Sequence, residues 1–521
     1  MRPSHHVEMF RPNRSVFDLS YSMLFDCDMG QLVPVLGKKM VPGDHFKIAN
    51  EIVIRMNPSV APLLHEVNCF VHCFFVPLRL LWPKPQIPET APKEDGSWED
   101  YWTGGKDGTL EPIMPRWIPA NWQATTQTGS LWDYFGFPVN VNPVGAYPDR
   151  WLLRSYNFIW NEYYRDQNYM DEVDLDNEDL KYRCWEKDYF TTALPWQQRG
   201  QAPALPVSGY TEFLGYIASN TIANASNDST VFRTTNSNPD FRGLYHFNGS
   251  QPQSSVESIR AWFNNNRINA TTFDVSDLRL AFQTQKFLER NARSGARYVE
   301  QLRAHFGVSP RDDRMQRPEY IGGTRSPIIF SEVLQTSSSD NTSPQGNLAG
   351  HGMTVDRQFV GSYYAQEYGV VMALMSIMPR PVYQQGIDRE WLCETRYDEL
   401  LPEFVALSEQ PVYNAELYVN DQESENRGVF GFNGRYDEYR VARNRVCGKL
   451  RSGVTDSLSF WHVARYFAQR PALNSDFLKC QPRKDWLAVP SEPAWVVNYG
   501  NRIRAVRPLP VVGTPGLIDH F

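Results

Sequence analysis

DHFKIANEIVIRMN, residues 44–57, and VNCFVHCFFVP, residues 67–77, decide the reading of the fold. In the first, Phe46 and Ile48, then Ile52, Ile54 and Met56, alternate with polar neighbours, the period of two that sets one face of a strand on a core and the other toward water. The second is apolar at both parities, which calls for a strand covered on both sides, as where two sheets pack face to face. VPGD (41–44) and NPSVAP (57–62) supply turn chemistry at either end of the first strand. Further strands are expected at 15–25 (SVFDLSYSMLF), 368–378 (YGVVMALMSIM), 429–432 (VFGF) and 457–467 (SLSFWHVARYF). Strands near both ends of the chain, separated by long excursions, are what a Greek-key sandwich produces. One β core with large loops therefore accounts for the 521 residues better than tandem domains do.

Helix is expected in two places only, since 37 Pro and 33 Gly interrupt the pattern too often for helical arrays. Over 274–306, Leu278, Phe282, Leu288, Tyr298, Leu302 and Phe306 recur at mostly helical intervals behind an Asp or Ser cap, with a break at Ser294 and Gly295. Over 150–166, Trp151, Leu152, Tyr156, Ile159, Trp160 and Tyr163 form an aromatic stripe.

Residues 131–201 have a different character: LWDYFGFPVN, YNFIWNEYYRDQN and WEKDYFTTALPWQQRGQ follow one another with little between them. So many aromatic, Asn, Asp and Arg side chains with so few aliphatics read as recognition surface, because aromatics and Arg dominate buried protein interfaces. Trp132, Tyr134, Phe135, Trp160, Tyr163, Arg165, Tyr189, Phe190 and Trp196 are the expected contacts with neighbouring subunits, within an aromatic-rich loop region spanning 79–201. Residues 202–272 turn polar and rich in Asn, Ser and Thr, yet keep Phe213, Tyr216, Phe232, Tyr245 and Trp262, which is expected of an ordered surface insertion.

Charge and cysteine content bound the function. Against 52 Lys and Arg stand 59 Asp and Glu, a net charge of −7 that excludes wholesale wrapping of nucleic acid and confines any such contact to local clusters. Arg440, Arg443 and Arg445 followed by Lys449 and Arg451, and Arg502, Arg504 and Arg507 near the C-terminus, are those clusters, with Lys449, Arg451, Arg502 and Arg504 the expected DNA contacts. Seven scattered Cys argue for a reducing compartment, and no apolar run is long enough for membrane insertion.

Catalytic motifs fail on inspection. GQLVPVLGKK (30–39) has six residues between its glycines, not the four of a phosphate loop, and no Ser or Thr after the Lys. His65, Cys69, His72 and Cys73 have the chemistry of metal ligands, but on a strand Cys69 and Cys73 point one way and His72 the other. Acidic pairs such as Glu99 with Asp100 and Asp171 with Glu172 read as solvated loop carboxylates. No cofactor, metal or enzymatic activity is expected.

Taken in order, FDLSYSMLFDCDMGQLVPV, VPGDHFKI, LWDYFGFP, IWNEYYRDQN and KDYFTTALPWQQRG, then RYVEQLRAHFGVSPRDDRMQRPEYIGG, PQGNLAGHG, FGFNGRYDEYRVARNRVCGKLRS and SLSFWHVARYF, resemble the major capsid proteins of the Microviridae, small phages with single-stranded DNA genomes, on the gokushovirus side. That resemblance implies a viral jelly roll, eight strands in two sheets with large inserted loops. It also implies a homo-oligomer of sixty copies closing a T=1 icosahedral shell, a virion component assembled in the bacterial host cytoplasm. A circular single-stranded DNA genome would lie on the inner face, together with a small basic packaged protein, and assembly proteins would guide closure. The insertion at 202–272 would form a threefold protrusion that meets a host cell-surface receptor. The competing reading is a jelly-roll carbohydrate-binding protein or glycoside hydrolase, whose exposed Trp and Tyr would stack on sugars.

Overall fold

The computed structural model describes residues 13–82, 98–103, 109, 114–203, 232–233, 245–248, 251–253, 275–295, 297–334 and 348–512. Two units are present, one of residues 1–197 with 291–521 and one of residues 198–290. In chain order the strands of the larger unit begin with β1 (Ser15–Asp18), β2 (Tyr21–Cys27), β3 (Val33–Met40), β4 (His45–Met56) and β5 (Val67–Pro77). The smaller unit contributes β6 (Phe232–Arg233), β7 (Tyr245–Asn248) and β8 (Gln251–Gln253), and the larger unit resumes with β9 (Glu319–Pro327), β10 (Ile329–Leu334), β11 (Leu348–Tyr364) and β12 (Gly369–Pro379). β13 (Glu409–Tyr413), β14 (Val429–Gly434) and β15 (Trp495–Arg507) complete the set.

Two antiparallel sheets dominate. One runs β10-β11-β4-β15, with β2 and β1 both paired to the far side of β15; the other runs β3-β12-β5-β9. The alternation in β4 is realised strictly: Phe46, Ile48, Ile52 and Ile54 are buried while Lys47 and Arg55 are exposed. A single apolar cluster joins those β4 side chains and Val497, Tyr499 and Ile503 of β15 to Val71, Cys73 and Phe75 of β5 and to Val371, Ala373 and Met375 of β12. The inner faces of both sheets thus share one core, the arrangement of a β-sandwich. At one edge the sheets nearly touch: a Cβ on Gly322 would lie 2.1 Å from the Val360 carbonyl oxygen, so this close approach of β9 to β11 requires glycine.

The run in β5 that is apolar on both faces is covered twice, as expected, but the second cover is not a sheet. Phe74 and Val76 of β5, with Val370, Met372 and Leu374 of β12, pack against Trp132, Trp151, Leu153, Tyr156 and Ile159. All eleven residues of β12 are buried for the same reason. The chain covers this sheet with its own helix and loops.

Three other expectations are revised. The 15–25 strand is two strands, broken where the Asp18 carboxylate accepts the Ser20 amide (3.0 Å) and the Ser20 hydroxyl accepts from the Ile503 amide (3.1 Å). VFGF is a strand, but β14 pairs with β13 and, at Phe432, with Leu194, and lies outside both large sheets. SLSFWHVARYF contains no strand: it makes a 3₁₀ turn at Ser459–Trp461, after which His462, Val463, Ala464 and Arg465 are buried in succession. Its polar groups are satisfied individually, His462 Nε2 against the Leu450 carbonyl (2.6 Å) and Arg465 Nη2 donating to the Phe477 carbonyl (2.6 Å), so a ladder is not needed.

The long helix is broken as its sequence predicts, into Val275–Arg293 and Tyr298–Phe306. Gly295 between them has φ +92°, a conformation that favours glycine. Its apolar stripe is split, with Leu278, Leu288 and Leu302 half-buried and Phe282 (66%), Tyr298 (66%) and Phe306 (76%) exposed. In the smaller unit β6, β7 and β8 form an antiparallel sheet; most of the 202–272 insertion lies outside the described residues.

Candidate functional site

The aromatic segment is built around the helix Trp151–Ile159, which continues as a π-helical turn over Trp160–Tyr164. Trp151, Tyr156 and Ile159 face the sheet. Arg154, Asn157, Asn161 and Arg165, at intervals of three and four, lie along another stripe and pin the following loop. Arg154 grips Asp176 with two bonds (2.6 and 2.8 Å), and Asn157 donates to the carbonyls of Leu175 (2.8 Å) and Asn177 (2.7 Å). Asn161 exchanges bonds with the Val173 backbone (2.7 and 3.0 Å), and Arg165 reaches the Met170 carbonyl and Glu172 (both 3.0 Å). Burial works against charge on Asp176, but Arg154 and Arg150 outweigh it and hold that carboxyl below the usual range. The Asn and Arg of IWNEYYRDQN thus serve as loop-holding groups.

This placement corrects the reading of the segment as open recognition surface. Trp132, Tyr134, Trp160, Arg165, Tyr189 and Phe190 are buried within their own chain. Trp132 packs edge-on against Trp117 at 4.6 Å and donates to the Pro138 carbonyl (2.9 Å), while Tyr134 donates to the Asp26 carbonyl (2.9 Å). Tyr189 donates to buried Glu416 (2.8 Å), and Phe190 lies 4.8 Å from Tyr383 in a separate cluster. Phe135, Tyr163 and Trp196 remain half-buried. Aromatic density marked a core because Trp and Tyr bury large areas while their polar ends find backbone partners.

The basic clusters are partly neutralised from within. Arg443 and Arg445 both pair with Asp388, and Arg440 pairs with Asp437. Arg451 donates to the Gln384 carbonyl (3.2 Å), and Lys449 beside it is exposed. Arg502 bonds Glu51 (2.7 Å), holding that carboxyl below its usual range, whereas Arg504 lies in register between Asp18 and Lys47. The two C-terminal arginines alternate with buried Ile503 and Ala505, so both project from the outer face of the six-stranded sheet.

That face carries apolar side chains open to the surroundings. Across it run Leu24, Asn498, Val53 and Val355 in one row, and Val496, Arg55, Met353 and Ile329 in the next. Leu24 is 77% exposed, Ile329 70% and Val355 66%. Further along the strands come Glu51 with Arg357, and Phe359 opposite Ala49. Sequence reasoning missed these apolar positions, although the alternation in FDLSYSMLF and in β11 carries the signal.

The former metal candidates are spent on structure. Cys69 and Cys73 face the core, where burial raises both thiols to about 12, and His72 on the opposite face meets the Tyr164 hydroxyl at 2.8 Å. Among the described residues no group of three or more His, Cys, Asp and Glu is arranged to hold a metal, and no helix is long and apolar enough to cross a membrane.

Residues 5–517 match the family described as Capsid protein (F protein). The chain is similar to capsid protein VP1 of Chlamydia phage 1, with 31% identity over 97% of this chain and 96% of that one. It is also similar to capsid protein VP1 of Bdellovibrio phage phiMH2K (30% identity over 100% and 97%) and of Spiroplasma virus 4 (28% over 98% and 97%). A mainly β chain so matched from end to end is a structural component of a virion rather than an enzyme, and it belongs to the capsid protein (F protein) family of Microviridae-type bacteriophages.

Proposed function

We propose that this chain is the repeating unit of a T=1 icosahedral shell of sixty copies that encloses a circular single-stranded DNA genome, and that its sandwich is an eight-stranded jelly roll. Strand order supports the second part. β2, β4, β11 and β15 belong to one sheet and β3, β5, β9 and β12 to the other, so that successive strands mostly cross between sheets. The observation that carries the first part is the contrast in cover: one sheet is roofed by its own chain, whereas the other leaves apolar and cationic side chains open together. Such a face is suited to contact outside the chain, since exposed apolar patches on soluble proteins mark interaction sites.

Within this reading Phe135, Tyr163 and Trp196 are the members of the aromatic set still able to touch a neighbouring subunit, and the buried members hold the loops that do so. Lys449, Arg451, Arg502 and Arg504 contact the genome, with a small basic packaged protein supplying further positive charge against phosphate. The insertion at 202–272, within the smaller unit, serves host attachment. Cryo-EM of particles formed by the full chain tests the proposal: closed shells of sixty copies with density for nucleic acid are expected. A product that stays monomeric under all assembly conditions, yet binds or hydrolyses glycan, would overturn it in favour of the carbohydrate reading.

A further inference from the structure

A cleft of about 550 Å³ opens beside the outer face of the four-stranded sheet, where His72 and Phe74 of β5 and Tyr320 of β9 meet Tyr163 and Tyr164 of the π-helical turn. Its volume falls in the roughly 300–1,000 Å³ range of small-molecule sites. Aromatic rings form one side: Tyr163 lies 4.7 Å and Tyr320 5.5 Å from the Phe74 ring, and Tyr320 is about half exposed (48%). Tyr163 is fixed by donating to the Pro318 carbonyl (2.6 Å).

Cations line the other side. Arg183 sits 4.6 Å from the Phe70 ring and 5.8 Å from that of Tyr164, donates to the Ser376 hydroxyl (3.2 Å), and forms no ion pair with a carboxylate among the described residues. Arg317 pairs with Asp312 (2.9 Å) and Lys187 with Asp166. Of the lining carboxylates, Asp312 is therefore occupied, and Glu186 forms no ion pair among the described residues. Lys187 is matched by Asp166 and Arg317 by Asp312, Glu186 is a further lining carboxylate, and His72 is kept neutral, pushed down to about 4 by burial and then by Arg183, so Arg183 is the lining cation that no ion pair occupies among the described residues.

We propose that this cleft holds a nucleoside phosphate, its base against the half-exposed Tyr320 ring and its phosphate on Arg183, with the exposed Lys187 as a second contact. Any base can stack on an open aromatic face, so recognition is tolerant of sequence. An Arg without a carboxylate of its own is free to take a phosphate with two bonds. Free nucleotides and single nucleotides of a strand offer the same chemistry. The inference deepens the genome reading and rests on it only for the source of the ligand.

Calorimetry on the full chain with dTMP, with inorganic phosphate and with a short oligothymidine tests it, alongside photocrosslinking of a bromouracil oligonucleotide and peptide mapping. The chain should bind dTMP at least tenfold more tightly than phosphate. Arg183→Gln and Lys187→Gln should each weaken dTMP at least fivefold, Tyr320→Ala should weaken dTMP but leave phosphate unchanged, and crosslinks should map to Tyr320 or Tyr163. Oligothymidine no tighter than dTMP assigns the cleft to free nucleotide; tighter binding assigns it to the strand. Lys187 is exposed, so its variant remains informative if Arg183→Gln unfolds. Absence of dTMP binding, equal binding by the Lys187 and Tyr320 variants, or preference for a neutral hexose would overturn the proposal. If particles contain single-stranded DNA while these outcomes appear, the cleft assignment falls and the genome reading stands. Particles without DNA would remove the genome reading, and dTMP binding would still decide the cleft.

Discussion

The outer faces of the two sheets are opposites. That of the four-stranded sheet lies under Trp132, Trp151 and Tyr156 of the same chain, whereas that of the six-stranded sheet shows Leu24, Val355 and Ile329 to its surroundings. β12 is accordingly buried at every position and β4 at every second one. A strand apolar at both parities therefore reports that both its faces are covered, without saying whether sheet, helix or loop does the covering. Apolar residues at the outward parity of an otherwise alternating strand are, on the function proposed above, where the cover from a neighbouring molecule would sit.

Substitutions on the two faces should separate stability from assembly. Trp151→Ala or Trp132→Ala removes a fully enclosed ring and should cost about 3–5 kcal/mol, read as a large fall in the urea midpoint of the unassembled chain. Val355→Thr or Leu24→Gln should change that midpoint by less than about 0.5 kcal/mol while reducing particle yield. Equal stability losses on both faces would erase the contrast.

The polar stripe under the roof should come next in size. Arg154→Met deletes the double bond to Asp176 and should cost about 2 kcal/mol, with proteolysis of the 166–182 loop accelerated. Because the folded carboxyl titrates below the ordinary value, the stabilisation it provides is present above about pH 4 and is lost as pH falls through the folded value. Wild-type stability should therefore drop in that acid range, and Arg154→Met should drop less.

A second acid response is expected earlier. His65 and His72 both titrate near 4 when folded, burial being the main cause, against an ordinary 6.5. Between those values the unfolded chain binds more protons, so stability should decline steadily from pH 6.5 toward 4. His72→Gln should flatten part of that slope in urea midpoints measured at pH 5 and 7. The smallest effect on the fold belongs to the open face, where Arg502→Gln and Arg504→Gln should shift stability by less than about 0.5 kcal/mol. Each should nonetheless lessen the salt dependence of DNA retention in particles.

Legibility in the sequence followed the same division. β4, β5 and β12 were readable almost to the residue, since periodicity and uniform apolarity are local properties. β15 was not read as a strand, although NRIRAVR alternates, because its arginines drew attention as a charge cluster; β3 was absorbed into a failed phosphate-loop comparison. SLSFWHVARYF looked like a strand and is instead a buried irregular segment, with Arg465 lying 3.9 Å from the Phe477 ring and 5.1 Å from that of Trp185. Such a cage is assembled from residues far apart in sequence, and nothing local announces it. The roofing role of Trp132 and Trp160 was hidden for a related reason: an aromatic stripe looks the same whether its partner is the chain's own sheet or a neighbour.

The pairing of β15 has a consequence for biosynthesis. This strand is the central tie of the six-stranded sheet, bonded to β4 along one side and to β2 and β1 along the other, all drawn from the first 56 residues. During translation β4 and β2 emerge early and wait through more than 400 further residues with their edges unmatched. Open edges invite wrong pairing, so the nascent chain is exposed to misassembly until residues 495–507 arrive. The same delay keeps the sheet from closing until nearly the whole chain has been made, so that a growing polypeptide is not yet competent to build a particle, and a stop placed before Trp495 should yield aggregate instead of a smaller shell.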